Sequence, residues 1–415
     1  MNNHITYNHK KSTEWHYFLS FFLVFLLNPL CGITACISYI VFIQGRDIPK
    51  FSYTTLFILI ALFLGCINMT KIPTGDQIGY IYLFNKVPER GFYSIVFESW
   101  GGTGKEPFYS FITYIGYYLC FGKAPLFFFA LTVTTYYLLF SATYKYLTKI
   151  NATKAEIICG ILSIAFFTQY FVLTIHLVRQ ILAMSIVMYA VVDRIVKGKN
   201  NWFLLIIAVL THTSALLIAL LSIIPALQKK MSLKQLIVIL PCFIILLIFN
   251  TQIGEFLGGG DNEGNFMEYA ISRYSDNRGD GLAISYSLML MVLLPLIIVS
   301  IKTLYTIRNN EHHPAYPMIY ICLLLILFVL SFSQNPLIQY RYFYYSYAFI
   351  PFILPLFFYQ KEFKRINYDK IYCYCVSLFF MIRFFMIHNT SGFKFIPIKD
   401  IILLPFPYYF ITDFY

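Results

Sequence analysis

Charge is what this sequence lacks most. Only 12% of its 415 residues are charged, whereas 59% are hydrophobic, a class that includes its many aromatic residues. Soluble globular domains carry about 25% charged residues. A water-soluble globule is therefore excluded, and the composition predicts a protein that has lipid as its solvent.

The sequence also lacks the short motifs of the common soluble enzymes. It contains no phosphate-binding P-loop, no G-x-S-x-G nucleophile elbow and no H-E-x-x-H zinc motif. Its nine cysteines show no paired metal-ligand spacing. We therefore expect no metal, nucleotide or other cofactor. A substrate that reacts outside the cytoplasm must then arrive already activated, for example as a lipid pyrophosphate.

The net charge of +12 does not indicate a nucleic-acid partner. The Lys and Arg residues cluster in short connections between apolar stretches, which is typical of the cytoplasmic loops of membrane proteins. We therefore expect these connections to face the cytoplasm. The basic connections are residues 46–50, 145–154, 197–199, 229–234, 302–308 and 361–365.

Long apolar stretches dominate the rest of the chain. A spanning helix needs about 20 apolar residues, and about ten stretches approach that length. They predict an all-α fold, a polytopic transmembrane helical bundle that forms a single domain over residues 1–415. In the first stretch, a hairpin broken at Asn28-Pro29 is the alternative to one crossing. The stretches are residues 17–43, 53–69, 125–144, 156–173, 177–196, 236–249, 282–301, 317–331, 338–359 and 371–387.

Four segments between these stretches are irregular. The polar, Gly-rich connections 70–105 and 252–281 are predicted to form two long external loops. If either of segments 106–122 and 202–225 crossed the membrane fully, every later loop would lie on the opposite side from the one that its basic residues predict. We therefore predict re-entrant helices in both, the second as two half-helices that meet at His212. The alternative for the second is a straight crossing that leaves one basic loop outside.

Three arginines lie in apolar surroundings. An ionisable side chain near the bilayer centre costs about 2.5–3.5 kcal/mol on insertion scales, so it marks a candidate site. Arg179 and Arg341 each lie near the predicted external end of an apolar stretch, where a planar guanidinium suits phosphate oxygens. Snorkelling to the interface is the alternative for both, and for Arg383 it is the preferred interpretation.

A histidine and two carboxylates are the other candidates. His212 lies with Ser214 in an apolar run, and an imidazole can take or give a proton near pH 7. The alternative is a histidine that only makes structural hydrogen bonds. Asp76 and Glu106 are scarce acids near the predicted external face. Asp76 could instead be a solvated loop residue, and Glu106 before Pro107 an ordinary helix start.

The order of these residues forms a pattern along most of the chain. Its parts are Asp76 and Tyr80, then Glu106-Pro107-Phe108, then Arg179-Gln180-x-x-Ala183, then His212-x-Ser214, and finally Arg341 followed by aromatic residues. This pattern resembles the EpsG family, within the wider group of Wzy-type O-antigen and capsular polysaccharide polymerases. The resemblance covers about residues 53–399. Glu-Pro-Phe stands here where the family commonly has Glu-Pro-Gly, and Thr-Gly-Asp where it often has Gly-Thr-Asp.

The resemblance implies a GT-C-like polymerase that joins lipid-linked oligosaccharide repeat units on the external face of the bacterial cytoplasmic membrane. A growing chain on undecaprenyl pyrophosphate would be the donor, and a fresh lipid-linked unit the acceptor. Arg179 and Arg341 would hold the pyrophosphate. The candidate bases are Asp76, Glu106 and His212. The remaining substrate-binding candidates are Tyr80, Gln180, Ser214, Arg273, Tyr340 and Tyr344.

The same resemblance implies the partners. These are the undecaprenyl-pyrophosphate-linked oligosaccharide, membrane lipid, and a flippase and chain-length regulators of the same system. Capsule, O-antigen and exopolysaccharide all stay open as products. The rival functions are a flippase for the same lipid, a membrane O-acyltransferase that uses His212 as its base, and a non-catalytic scaffold. A transporter predicts two similar halves, and the sequence shows none.

Overall fold

The computed structural model describes residues 2–42, 50–98, 106–232, 285–332, 336–359, 368–386 and 397–411. Within these ranges every regular element is a helix, which agrees with the predicted all-α class. Several predictions lie outside the described residues. These are the span 236–249, the loop 252–281 and, with that loop, Arg273.

The helices of the described residues are numbered in chain order. The first twelve are α1 (Asn2–Leu27), α2 (Pro29–Phe42), α3 (Lys50–Met69), α4 (Asp76–Asn85), α5 (Val87–Phe97), α6 (Pro107–Leu119), α7 (Ala124–Lys149), α8 (Lys154–Ala165), α9 (Thr168–His176), α10 (Val178–Lys197), α11 (Trp202–Thr211) and α12 (Ala215–Ile223). Later helices are α13 (Tyr286–Ile307), α14 (Tyr316–Ser331), α15 (Pro336–Tyr347), α16 (Ile350–Ile353), α17 (Tyr368–Met386), α18 (Ile398–Leu403) and α19 (Tyr408–Ile411). Short 3₁₀ helices cover Pro225–Gln228 and Leu354–Phe358.

Three of these helices are long and apolar enough to cross a membrane: α3, α7 and α13. A fourth span results if α8 and α9, which are bent by 48° at their junction, cross together. Helix α10 has the length of a span but carries charges at both ends. A polytopic helical bundle therefore agrees with the described residues, whereas the predicted count of about ten spans is not confirmed.

The first apolar stretch is not one crossing, so the single span predicted over residues 17–43 is wrong. The chain breaks at Asn28, and the N–H of Cys31 donates to Asn28 Oδ1 at 3.0 Å. Pro29 starts α2, a position that proline favours because its missing N–H is not needed there. The rings of Tyr17 and Tyr39 then lie 4.8 Å apart. This contact between α1 and α2 matches the hairpin alternative.

The predicted external loop over residues 70–105 contains two helices, α4 and α5, in its described part. In α4 the buried residues Gln77, Tyr80 and Phe84 are spaced by three and four positions. Such spacing places all three on one helix face. The segment therefore folds by burying that face, while the external position of the segment stays a prediction.

Helices α11 and α12 form a hairpin against α10. At the start of α11, Asn201 Nδ2 donates to Asp193 Oδ2 at 3.2 Å. At the end of α12, the carbonyl oxygen of Ser222 accepts from Arg194. Both ends of the hairpin therefore lie at the C-terminal end of α10. His212 lies at the tip between the half-helices. The re-entrant paths of this segment and of residues 106–122 through a membrane stay predictions.

The stretch predicted as one span over residues 338–359 is broken, so a continuous helix there is wrong. Helix α15 ends at Tyr347, and α16 and a 3₁₀ turn follow. Pro351 lies in α16 and Pro355 in the turn. Proline lacks the N–H that a continuing helix needs, and its ring clashes with the preceding turn. The two prolines account for the change of path after α15.

Candidate functional site

An ion pair lies at the N-terminal end of α10. Arg179 Nη1 contacts Glu106 Oε2, and both side chains are largely withdrawn from solvent. Burying two opposite charges costs hydration free energy, and their mutual attraction offsets this cost only while the two groups stay in contact. Arg179, on α10, and Glu106, just before α6, therefore hold each other in place.

Glu106 reaches this pair through an uncommon backbone conformation. Its φ is 57° and its ψ is 54°, in the left-handed region, which costs an L-residue about 1–2 kcal/mol. Pro107 begins α6, as the helix-start interpretation predicts. The side chain of Glu106, however, makes no capping hydrogen bond to α6. The costly conformation directs the carboxylate away from its own helix and towards Arg179.

The tip of the α11–α12 hairpin contacts the same carboxylate. His212 Nε2 lies 3.4 Å from Glu106 Oε1. The N–H of Ser214 donates to His212 Nδ1 at 3.2 Å, so we assign the ring proton to Nε2, which faces Glu106. Ser214 Oγ lies 2.5 Å from Nδ1 and 2.9 Å from the hydroxyl oxygen of Tyr345. A continuous polar chain therefore runs from Arg179 to Tyr345.

Helix α4 contributes an aromatic wall to the site. Arg179 Nε donates to the hydroxyl oxygen of Tyr80 at 3.4 Å, and Arg179 Cζ lies 5.4 Å from the centre of the Tyr80 ring. The ring of Tyr109 on α6 packs edge-on against Tyr80 at 5.8 Å. Asp76, the first residue of α4, lies one turn before Tyr80 and is exposed. The predicted Asp and Tyr pair thus meets Arg179 through Tyr80.

Gln180 links Arg341 to the same place. The buried side chain of Gln180 donates from Nε2 to the backbone oxygen of Arg341 at 2.7 Å. Gln180 directly follows Arg179 in α10, so this bond places the backbone of Arg341 beside Arg179. Two arginines from different helices therefore converge at one end of α10. Gln180 joins these helices through a backbone contact.

The tyrosines of α15 divide into two groups. Tyr340 and Tyr344 are partly buried, and their rings pack 4.4 Å apart. Tyr345 is fully buried and contacts Ser214. Tyr340 and Tyr344 were predicted as substrate-binding residues, whereas Tyr345 was missed. No local signal separates it from its neighbours, because its burial depends on the hairpin that packs against α15.

A buried lysine supports the turn before α4. Lys71 follows α3, its side chain is fully buried, and its Nζ donates to Gln77 Oε1 at 2.7 Å and to Thr74 Oγ1 at 3.1 Å. Burial lowers the pKa of Lys71 to about 8. Sequence reasoning missed this residue. A lysine directly after an apolar stretch was the available signal. Its contacts fix the segment that carries Asp76 and Tyr80.

Comparison with known proteins identifies a family. No curated protein and no solved structure matches the chain. A model of the EpsG family matches residues 50–399, which include every residue of the ion pair, the hairpin tip and the Tyr80 wall. The match covers most of the chain, in agreement with the resemblance seen in the sequence. Together with its apolar helices, it identifies this chain as a membrane protein that belongs to the EpsG family.

Proposed function

We propose that this protein polymerises lipid-linked oligosaccharide repeat units during surface polysaccharide biosynthesis. The donor is an undecaprenyl-pyrophosphate-linked chain, the acceptor is a lipid-linked unit, and the site faces the outside of the bacterial cytoplasmic membrane. The observation that carries the proposal is that Gln180, next to Arg179, donates to the backbone oxygen of Arg341 and so places both arginines at one end of α10. Membership of the EpsG family supports it.

The reaction needs positive charge where the leaving group departs. An acceptor hydroxyl oxygen attacks the anomeric carbon of the donor, and the bond from that carbon to the pyrophosphate oxygen breaks. The pyrophosphate leaves with the electron pair and gains negative charge. The guanidinium groups of Arg179 and Arg341 stabilise this charge and fit phosphate oxygens through their planar forks. Their placement is therefore the central catalytic feature of the proposal.

The acceptor hydroxyl must also lose its proton. Glu106 has one oxygen on Arg179 and the other facing His212, so its carboxylate already holds two cationic or donor groups. His212 Nδ1 already accepts from Ser214. The carboxylate of Asp76 is exposed at the same end of the bundle. We assign Asp76 as the base that takes the proton, and Glu106 and His212 as positioning residues.

The test replaces each arginine by lysine in a strain that lacks the chromosomal copy. Lysine keeps the charge but loses the planar fork. We expect Arg179→Lys and Arg341→Lys to abolish long-chain polymer while the protein stays in the membrane. Arg308→Lys is the matched control, because Arg308 is exposed at the end of α13 and stacks on Tyr305. It should make polymer of normal length.

Glycan analysis of the deletion strain separates the rival functions. Loss of polymer with retention of the single-repeat lipid product supports a polymerase. Loss of every external product supports a flippase and contradicts the proposal. Long chains made normally by Arg179→Ala and Arg341→Ala variants would contradict the pyrophosphate role of the two arginines.

A further inference from the structure

An apolar groove of about 450 Å³ lies on the outside of the helical bundle, away from the ion pair. Its walls come from the α8–α9 junction, the first half of α13, the α16 region and α17. Exposed side chains such as Met291 and Phe379 form its rim. Arg383, Gln169 and Thr168 are the polar side chains of its otherwise carbon-rich lining. The groove therefore offers a long apolar surface with a cation beside it.

The direction of α17 places Arg383 at a defined end of this groove. Cys373, near the start of α17, clusters with Ala155 at the start of α8. Further along, the ring of Phe384 lies 5.3 Å from that of Phe171 in α9. Since α9 leads directly into α10, Arg383 lies on the side of the groove nearer to Arg179. An amphipathic molecule would therefore have its anionic group towards the catalytic end.

Aromatic rings connect the groove to the helix that carries Arg341. Phe167 lines the groove, and its ring lies 4.9 Å from that of Tyr347 on α15. Tyr347 lies 5.5 Å from Tyr344, which is one turn from Arg341. The groove is thus a neighbour of the proposed pyrophosphate site and is separated from it by a wall of packed rings.

Charge and shape together point to a phosphate-bearing lipid. An exposed arginine in apolar surroundings extends its guanidinium towards the lipid head groups, where phosphate groups are the available anions. Among the described residues Arg383 makes no ion pair, and the other polar side chains of the lining, Gln169 and Thr168, are uncharged. A molecule with an anionic head and a long hydrocarbon chain satisfies both the guanidinium and the groove.

We infer that this groove holds the polyisoprenoid chain of the acceptor lipid, with Arg383 at its pyrophosphate. The inference rests on the proposed function, because that reaction uses two lipid-linked molecules at once. Arg179 and Arg341 bind the leaving pyrophosphate of the donor, so the acceptor needs a second binding site for its own lipid. The groove lies one aromatic wall away and supplies both an apolar surface and a cation.

Two exposed free thiols make a binding test possible in the protein itself. Cys375 lines the groove, whereas Cys31 lies on α2 and provides an internal reference. Purified protein is treated with N-ethylmaleimide, with and without geranylgeranyl pyrophosphate, and alkylation of each thiol is followed by mass spectrometry. At a probe concentration ten times its dissociation constant, alkylation of Cys375 should slow by about tenfold. Alkylation of Cys31 should not change.

Variants test whether the protection of Cys375 arises from binding in the groove. Leu288→Trp fills the groove and should abolish protection of Cys375 by the probe. Leu290→Trp is its matched control, because Leu290 lies on the same helix but is exposed and outside the groove lining. The control should keep the protection. Arg383→Gln should reduce the protection by geranylgeranyl pyrophosphate to that given by geranylgeraniol, which has the same chain but no phosphate.

Other outcomes overturn the inference. Equal protection by geranylgeraniol and by its pyrophosphate in the unaltered protein would remove the role of Arg383. Equal protection by phosphatidylglycerol would make this an ordinary phospholipid site. The Arg179→Ala variant should keep full protection, because Arg179 is not part of the groove. Binding in the groove and polymer synthesis can therefore fail separately, and the two proposals are distinguishable.

Discussion

The two ends of α10 carry polar clusters that differ in their surroundings. At the N-terminal end, Arg179, which is 22% exposed, pairs with Glu106, which is 8% exposed. At the C-terminal end, Asp193 is 5% exposed, but its partner Lys197 is 62% exposed. Its second partner, Lys145, is 28% exposed. Both carboxylates are therefore buried, and the two ends differ in how far the cation reaches solvent. Removing one partner is costly where both charges are withdrawn from water and less costly where the cation is hydrated.

The difference extends to geometry. Lys197 and Asp193 are four residues apart on one helix, and Asn201 Nδ2 donates to the same carboxylate, which is an ordinary way to close a helix end. The other cluster needs a left-handed Glu106 and a chain break at His212. Costly local conformations persist where the surrounding structure imposes them, and they concentrate at functional sites. The N-terminal end therefore carries the costly conformations typical of a functional site, whereas the C-terminal end carries an ordinary ion pair of a helix end.

The largest effect is expected from removing one partner of the buried pair. Glu106→Ala leaves the guanidinium of Arg179 uncompensated and should lower the free energy of unfolding by about 3–5 kcal/mol. Polymer should be lost as well. Stability is measured by chemical unfolding of the purified protein, and polymer by gel analysis of surface glycan.

A double variant sharpens this result. Replacing both Glu106 and Arg179 by Met removes both charges, so it should regain most of the stability without any polymer. Polymer from the double variant would show that the pair is structural only, and the contrast between the two ends of α10 would then be wrong.

A smaller effect is expected at the other end. Asp193→Asn removes the acid from partly exposed lysines, and should lower the free energy of unfolding by about 1 kcal/mol or less. Polymer length should match that of the unaltered protein, because Asp193 lies at the far end of α10. Loss of polymer by a variant that stays in the membrane would contradict the division of roles.

The last expected effect is a pH dependence from Lys71. Its pKa in the folded protein is lowered to about 8, whereas a lysine in an unfolded chain has a pKa of about 10.4. Between these pH values the unfolded state binds more protons, so stability from this group rises with pH. Below the folded pKa, Lys71 is protonated in both states and its contribution is constant.

Lys71→Met should remove that rise when melting temperatures are measured from pH 7 to pH 10. Lys86→Met is the control, since Lys86 is partly exposed and pairs with Glu89 near the α4–α5 boundary. The control should keep the rise. An unchanged pH profile in Lys71→Met would place the titrating group elsewhere and weaken the role of Lys71 in supporting α4.

Part of the fold follows from the sequence by length and composition. Helices α3, α7 and α13 are long apolar stretches, and hydropathy alone identifies them. The break at His212 follows from basic residues on both flanks of one apolar segment. The break at Asn28 was predicted only as the alternative to a single crossing, because an Asn-Pro pair in an apolar run is compatible with a kink or with a hairpin. The contact of α1 with α2 decides it.

The pairing inside the site could not be predicted. Glu106, Arg179 and His212 were each candidates, but sequence spacing does not say which carboxylate meets which cation. Glu106 contacts both Arg179 and His212 because its backbone is left-handed, and that conformation depends on the packing of α6. Tyr345 was missed for the same reason, since its partner Ser214 lies on an element distant in the chain.

The hairpin of α11 and α12 has a consequence for how the protein is made. Its tip closes the Glu106 cluster, but the hydroxyl that contacts Ser214 belongs to Tyr345, far along the chain. A growing polypeptide therefore possesses Arg179 and Glu106 long before it can complete the network around His212. The network around His212 is complete only when the chain up to Tyr345 has been synthesised.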